Sequence, residues 1–348
     1  MKKSRWNKKL KRWHDRHCYP FKSSKIKRCG SEKKYTVPLS EAKRYVNPQS
    51  DNHRIEIIAP KKFSLTENTE ETMAFFMKFV QEIERKQYRT HFYIDSSLVE
   101  YVTVDALIYL IAILQNDRIN IQMKYRYSGN FPLNESAKKI YENSGFTDYV
   151  DSKTRNLPAD TEKMRIVSGL KNDADTAKKF CEFVMEKLGK KRIEVRPLQK
   201  IFIELMSNVY HHAYGNNEIM AKKWYIYAEH IEDHVRFVFV DTGMGIAKTV
   251  RKNFKEKIAN IFGIKTKDAT LLQSAFEGEF RTQTKEEHRG NGLSTVKEQA
   301  LSGLFKNFEV ISGRGKCIIS TECDVQGNMI VYDYENTIYG TLYTFDVY

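Results

Sequence analysis

The chain has 348 residues, 41% of them hydrophobic and 29% charged, with 20 Phe, 20 Tyr and only 7 Pro. That length and aromatic content point to two domains with real cores and exclude a disordered, collagenous or coiled-coil protein. The formal net charge is +14, and residues 1–30 carry most of it, with 12 Lys/Arg against the single acid Asp15.

A basic arm on a nearly neutral body is the footprint of a polyanion-binding tail. Trp6, Trp13, Tyr19 and Phe21 lie among the charges, and aromatic faces stack on bases while Lys and Arg neutralise phosphates. Residues 1–30 therefore suit nucleic acid; a solubilising or partner-docking extension is the alternative. His14, His17, Cys18 and Cys29 are ligand types for zinc, but adjacent ligands such as His17 and Cys18 fit one tetrahedral site poorly. The five cysteines (Cys18, Cys29, Cys181, Cys317, Cys323) are scattered and suggest no disulfide framework, which reads as a reducing cytoplasm. No apolar segment opens the chain, and the longest apolar run, Val104–Leu114, contains Asp105. It is well short of the ~20 residues of a membrane span, so no membrane partner is expected.

Residues 31–52 are polar and turn-rich and complete an arm and linker over 1–52. Strand character at His53–Ala59 precedes helical periodicity in Glu70–Arg85, a strand at His91–Asp95, a helix at Val104–Leu114 too apolar to be exposed, an alternating strand at Ile119–Tyr125 and a helix near Ser136–Ser144. This ordering predicts a small α/β domain over 53–150. A charged, aperiodic linker at 151–163 leads to a second unit, 164–348. There, Ala174–Leu188 reads as a helix stopped by Gly189, and a second helix follows Pro197 from Leu198 to about Tyr214. Strands are predicted at Trp224–His230, Val235–Asp241, Asn307–Gly313, Cys317–Cys323, Asn328–Asp333 and Gly340–Val347. The long polar, helix-prone insertion from Thr242 to Lys306 has the character of a functional lid.

Three stretches carry chemistry. In the helix after Pro197, Phe202, Leu205, Met206 and Val209 form one apolar face, while Glu204, Asn208 and His212 drift only ~40° per step along another. A carboxylate and an amide oxygen projecting together suit a metal–nucleotide site, although solvated polar residues show the same spacing. Next, a buried-type strand ends in Asp241-Thr-Gly243-Met-Gly245-Ile246, where a carboxylate can accept from a base and glycines let backbone approach a ligand. A tight turn capped by Asp is the bland alternative. Third, Arg289-Gly290-Asn-Gly292-Leu293 leads into a helix, whose first N–H groups form an anion site; a lone glycine pair before a helix is common elsewhere.

Together and in this order, the three resemble the GHKL ATPase family of gyrase, the large heat-shock chaperone, histidine kinases and mismatch-repair ATPases. Glu204-Leu-x-x-Asn208-x-x-x-His212-Ala213 is similar to its N-box, and Asp241-x-Gly243-x-Gly245-Ile246 and Arg289-Gly290-x-Gly292-Leu293 to its two glycine boxes. The closing Tyr339-Gly-Thr-Leu-Tyr-Thr-Phe345 resembles its last strand. The resemblance implies an α+β fold over 164–348, an ATP-binding sandwich of a mixed sheet with helices on one face. It implies ATP and Mg²⁺ as ligands, with Asn208 on the metal and Glu204 as the base. Asp241 would hold the adenine amino group beside Gly243, Gly245 and Ile246, with Thr341 in the same pocket. Arg289, Gly290, Gly292 and Leu293 would wrap the phosphates under a lid over 247–288. Ser294-Thr295 stand where many kinases of the family have a second Gly-Leu.

Residues 53–150 are similar, more loosely, to the STAS fold of anti-sigma-factor antagonists, through Phe92-Tyr-Ile-Asp95, Val104-Asp-Ala-Leu107 and Ser144-Gly-Phe146. The residue after Asp105 is Ala106 rather than a phosphorylatable Ser or Thr. The expected function is an ATPase acting as a nucleotide-dependent switch, with a protein partner or a second protomer. Alternatives are an anti-sigma-type serine/threonine kinase and a nucleic-acid-binding regulator or bacterial defence component that senses ATP.

Overall fold

The computed structural model describes residues 54–85, 91–116, 126–150, 160–211, 223–254, 266–280, 292–322 and 328–348. The basic arm, with His14, His17, Cys18 and Cys29, and the strand expected at 119–125 lie outside the described residues.

The first strands are β1 (Arg54–Ile58) and the short β2 (Lys62–Phe63), followed by helix α1 (Thr69–Arg85). Next come β3 (His91–Asp95), β4 (Tyr101–Val102), α2 (Val104–Leu114) and β5 (Arg126–Gly129), then α3 (Glu135–Asn143) and α4 (Phe146–Val150). Strands β1, β3 and β5 form a three-stranded sheet in that order, parallel throughout, with Ile55 opposite Phe92 and Phe92 opposite Tyr127. Parallel neighbours need a crossover, and α1 and α2 supply it. Asp105, in the first turn of α2, accepts the N–H groups of Leu65 (3.0 Å) and Thr66 (3.3 Å), which ties the β2–α1 loop to the helix.

The remaining elements are β6 (Lys163–Gly169), α5 (Ala174–Leu188), α6 (Arg196–His211), β7 (Trp224–Ile231), β8 (His234–Asp241), α7 (Ile246–Asn253), α8 (Asp268–Phe276) and α9 (Gly292–Ala300). Strands β9 (Phe305–Ser312), β10 (Gly315–Ile319), β11 (Met329–Asp333) and β12 (Thr341–Val347) close the fold. Asp173 caps α5 by accepting the Thr176 N–H at 2.9 Å, and Gly189 ends it at φ +63°.

A seven-stranded sheet runs β11-β10-β9-β12-β8-β7-β6. Its ladders are all antiparallel, where a mixed sheet was expected. Short connections dictate two of these ladders: Ile231 pairs with His234 across Glu232-Asp233, and Ser312 with Gly315 across Gly313-Arg314, and a two-residue link can join only antiparallel strands. Strand β10 is also shorter than the expected 317–323, because the Glu322 N–H bonds to Ser320 Oγ and turns the chain. The fold is thus α+β, with one large antiparallel sheet.

Side chains alternate across that sheet. Ile226, Phe237, Phe239, Val310, Tyr343 and Phe345 point to one face, where α5, α6, α8 and α9 cover them with Phe180, Phe202, Leu205, Leu272 and Val296. Phe345 sits between Phe308 and Phe237, with ring centroids 5.0 and 5.3 Å away. Tyr225, Tyr227, Val238, Val240, Ile311 and Leu342 point to the other face, which joins the core of the first segment. Helices were expected on one face only. Every residue of α2 is buried, because the three-stranded sheet and α1 lie on one side and the seven-stranded sheet on the other; a helix apolar all round requires such surroundings.

Candidate nucleotide site

Helix α6 sets the first part of the site. Its apolar face (Phe202, Leu205, Met206, Val209) is buried against the sheet, which leaves Glu204 and Asn208 half-exposed one turn apart on the flank. The start of α9 lies directly against them. A Cβ placed on Gly292 would come within 2.9 Å of Glu204 Oε2 and 3.2 Å of Asn208 Oδ1, so any side chain there would press on the ends of both polar side chains. Burial raises the Glu204 carboxyl above its ordinary value. Asn208 Nδ2 is buried and has no hydrogen-bond partner among the described residues. A buried amide donor left unmatched is costly, and its presence beside a helix N-terminus fits a site built for polar ligand atoms.

The end of β8 sets the second part. Asp241 is the last residue of that strand, paired with Thr341 of β12 and Trp224 of β7. Its Oδ1 accepts the Gly243 N–H at 2.7 Å, and Thr341 donates to the carboxylate from both backbone and side chain. Burial nonetheless dominates and pushes the Asp241 carboxyl up to about 7. Gly245 adopts φ +79° at the start of α7, and a Cβ there would lie 2.8 Å from both the Gly340 carbonyl and Ser312 Oγ. The Ser312 hydroxyl accepts the Ile246 N–H at 2.8 Å and donates to the Gly340 carbonyl at 3.0 Å, so one side chain joins the Gly245-Ile246 turn to the Gly340-Thr341 turn.

A third, small apolar cluster connects the two parts. Ala247, Val250, Leu271 and Ala275 pack together, with Ile246 and Leu293 both against them. The segment after β8 is thus helical where described, and its second helix is anchored at the sheet. Asp268 pairs with Arg251 and accepts the Arg314 N–H at 2.9 Å, while Asp333 accepts the Ala269 N–H at 3.0 Å.

Of the residues singled out from sequence, Glu204, Asn208 and Gly292 meet at one end, and Asp241, Gly243, Gly245, Ile246 and Thr341 meet at the other, with Leu293 between. Arg289, Gly290 and His212 lie outside the described residues, as does part of the expected lid. Sequence reasoning missed Ser312, whose only signal was a Ser-Gly pair at a strand end, and the contact role of Thr242, which no local spacing between Asp241 and Gly243 encodes. Among the described residues no group of three or more His, Cys, Asp or Glu stands together as a metal site, and no helix is long and apolar enough to cross a membrane. No protein-family model matches the chain, and no curated protein matches it.

Proposed function

We propose that this chain binds Mg-ATP in a GHKL-type site over 164–348 and acts as a nucleotide-dependent conformational switch or regulator. The carrying observation is the apposition of Gly292 with Glu204 and Asn208, which brings a carboxylate, an amide and a helix N-terminus to one point. A triphosphate needs those groups together: N–H donors for its oxygens, a hard oxygen for the cation and a base near its terminal phosphorus. Asp241, Gly243, Gly245 and Thr341 form the purine end, where a buried carboxylate can accept from an exocyclic amino group. Asn208 would hold Mg²⁺, and its unpartnered buried amide is compatible with a polar ligand there. Bound magnesium would screen the charge of the phosphates. Glu204, its carboxyl raised by burial, is suited to take a proton from water or an accepting hydroxyl. We read 53–150 as the STAS-like unit, a reading supported by the parallel β1-β3-β5 sheet with its crossover helices.

Calorimetry of the full chain with a non-hydrolysable ATP analogue tests the reading. Saturable binding that weakens sharply without magnesium is expected, and Asn208→Ala should erase the magnesium dependence. Absence of binding by the unaltered chain would remove the reading. With hydrolysable ATP, label released as free phosphate indicates a switch, whereas label on a copurifying protein indicates the kinase alternative.

A further inference from the structure

The purine end of the site is held from outside the 164–348 segment. Asn116, just past the end of α2, is buried, and its Nδ2 donates to Thr242 Oγ1 at 2.6 Å and to the Thr242 carbonyl at 3.2 Å. The carbonyl can only accept, which fixes the orientation of the amide. Thr242 lies between Asp241 and Gly243. Seven residues before Asn116, the buried Tyr109 hydroxyl accepts the Tyr339 N–H at 2.7 Å and donates to the Tyr339 carbonyl at 3.0 Å, so it grips one residue on both sides. Tyr339 immediately precedes Gly340 and Thr341. Helix α1 holds the same loop: Glu70 accepts the Asn336 N–H at 3.2 Å, and Glu84 accepts the Tyr339 hydroxyl at 3.3 Å.

The two groups that orient the Asp241 carboxylate are the Gly243 N–H and Thr341. Each sits one or two residues from a backbone segment held by α2. We infer that Asn116 and Tyr109 are positioning residues for purine recognition, which makes the site a composite of both halves of the chain and sets its preference for adenine over guanine. This rests on the Mg-ATP reading above. A fixed carboxylate accepts from the 6-amino group of adenine and repels the 6-oxo group of guanine. Release of either flanking segment lets Asp241 rotate, and the discrimination falls with it. The phosphate end, at Glu204, Asn208 and Gly292, makes none of these contacts.

The test compares non-hydrolysable ATP and GTP analogues on the full chain, with and without magnesium, for the unaltered protein, Asn116→Ala and Tyr109→Phe. Roughly tenfold weaker ATP-analogue binding is expected in each variant, the scale of a buried hydrogen-bond pair lost with its partner left unmatched. The adenine-to-guanine ratio should contract, while the magnesium dependence persists. Tyr109→Phe removes a single oxygen from a packed ring and keeps the test open if Asn116→Ala does not fold. Unchanged affinity in Tyr109→Phe, or equal losses for both nucleotides, overturns the inference and leaves the Mg-ATP reading standing. An unaltered protein that binds neither nucleotide removes that reading, and this inference falls with it.

Discussion

At the scale of single residues, Asp241 makes the sharpest demand on its surroundings. Three donors, the Gly243 N–H and the backbone and side chain of Thr341, favour its ionised form, yet burial outweighs them and holds the carboxyl near 7, against an ordinary value of 3.8. The folded chain therefore keeps a proton there that the unfolded chain releases. The stabilisation is complete below about pH 4 and is lost as the pH rises toward 7, a difference on the order of 4 kcal/mol. Asp241→Asn keeps an oxygen for the Gly243 N–H and cannot ionise. Its melting temperature relative to the unaltered chain should rise from pH 4 to 7 and level off above, and a pH-independent difference would contradict the burial argument. An amino group donates more strongly to the ionised carboxylate than to the neutral acid, so on the Mg-ATP reading nucleotide binding at pH 6 should release a proton. Calorimetry in two buffers of different ionisation enthalpy reads that release, and its absence would mean that Asp241 does not meet the base as an ionised carboxylate.

At the scale of elements, α2 shows what local pattern does and does not carry. Its run from Val104 to Leu114 is visible as a helix with no polar face, but not what would bury it. The second partner is the far face of a sheet formed more than a hundred residues later. The same division holds elsewhere. Helices α1, α5 and α6 and strands β7, β8 and β12 lie close to where periodicity and caps put them. Strand β5, Arg-Tyr-Ser-Gly, has no alternation to betray it, and β2 and β4 are two residues each, so only pairing defines them. At the candidate site, Glu204, Asn208, Asp241 and Gly292 were visible because each lies inside a short motif. Ser312, Asn116 and Tyr109 were not, since their roles come from contacts that no local spacing encodes. Because α2 is enclosed on both sides, a cavity there cannot collapse easily. Leu107→Ala should therefore cost about 2–5 kcal/mol in denaturant unfolding. A loss under ~1 kcal/mol would mean that the helix is less enclosed than the packing indicates.

At the scale of the whole molecule, the seven-stranded sheet has no face that its own helices leave safely polar. Tyr225, Tyr227, Val238, Val240, Ile311 and Leu342 form a continuous apolar surface that residues before 150 cover. Polar ties cross the same boundary, with buried Lys316 donating from β10 to the Thr66 carbonyl at 3.0 Å and Asn336 bonded to Glu70. A fragment of residues 160–348 would bare this surface and strip Lys316 of the Thr66 carbonyl, leaving its ion pair with Glu309 at 2.7 Å. Contiguous apolar patches of that kind drive association in water. The fragment should aggregate or bind an environment-sensitive hydrophobic dye, and it should melt well below the full chain. Restoring residues 54–150 as a separate polypeptide should quench the dye signal. A fragment that stays monomeric, dye-silent and as stable as the full chain would show that the sheet closes without the first segment. In that event α2 would be an attachment rather than part of the core.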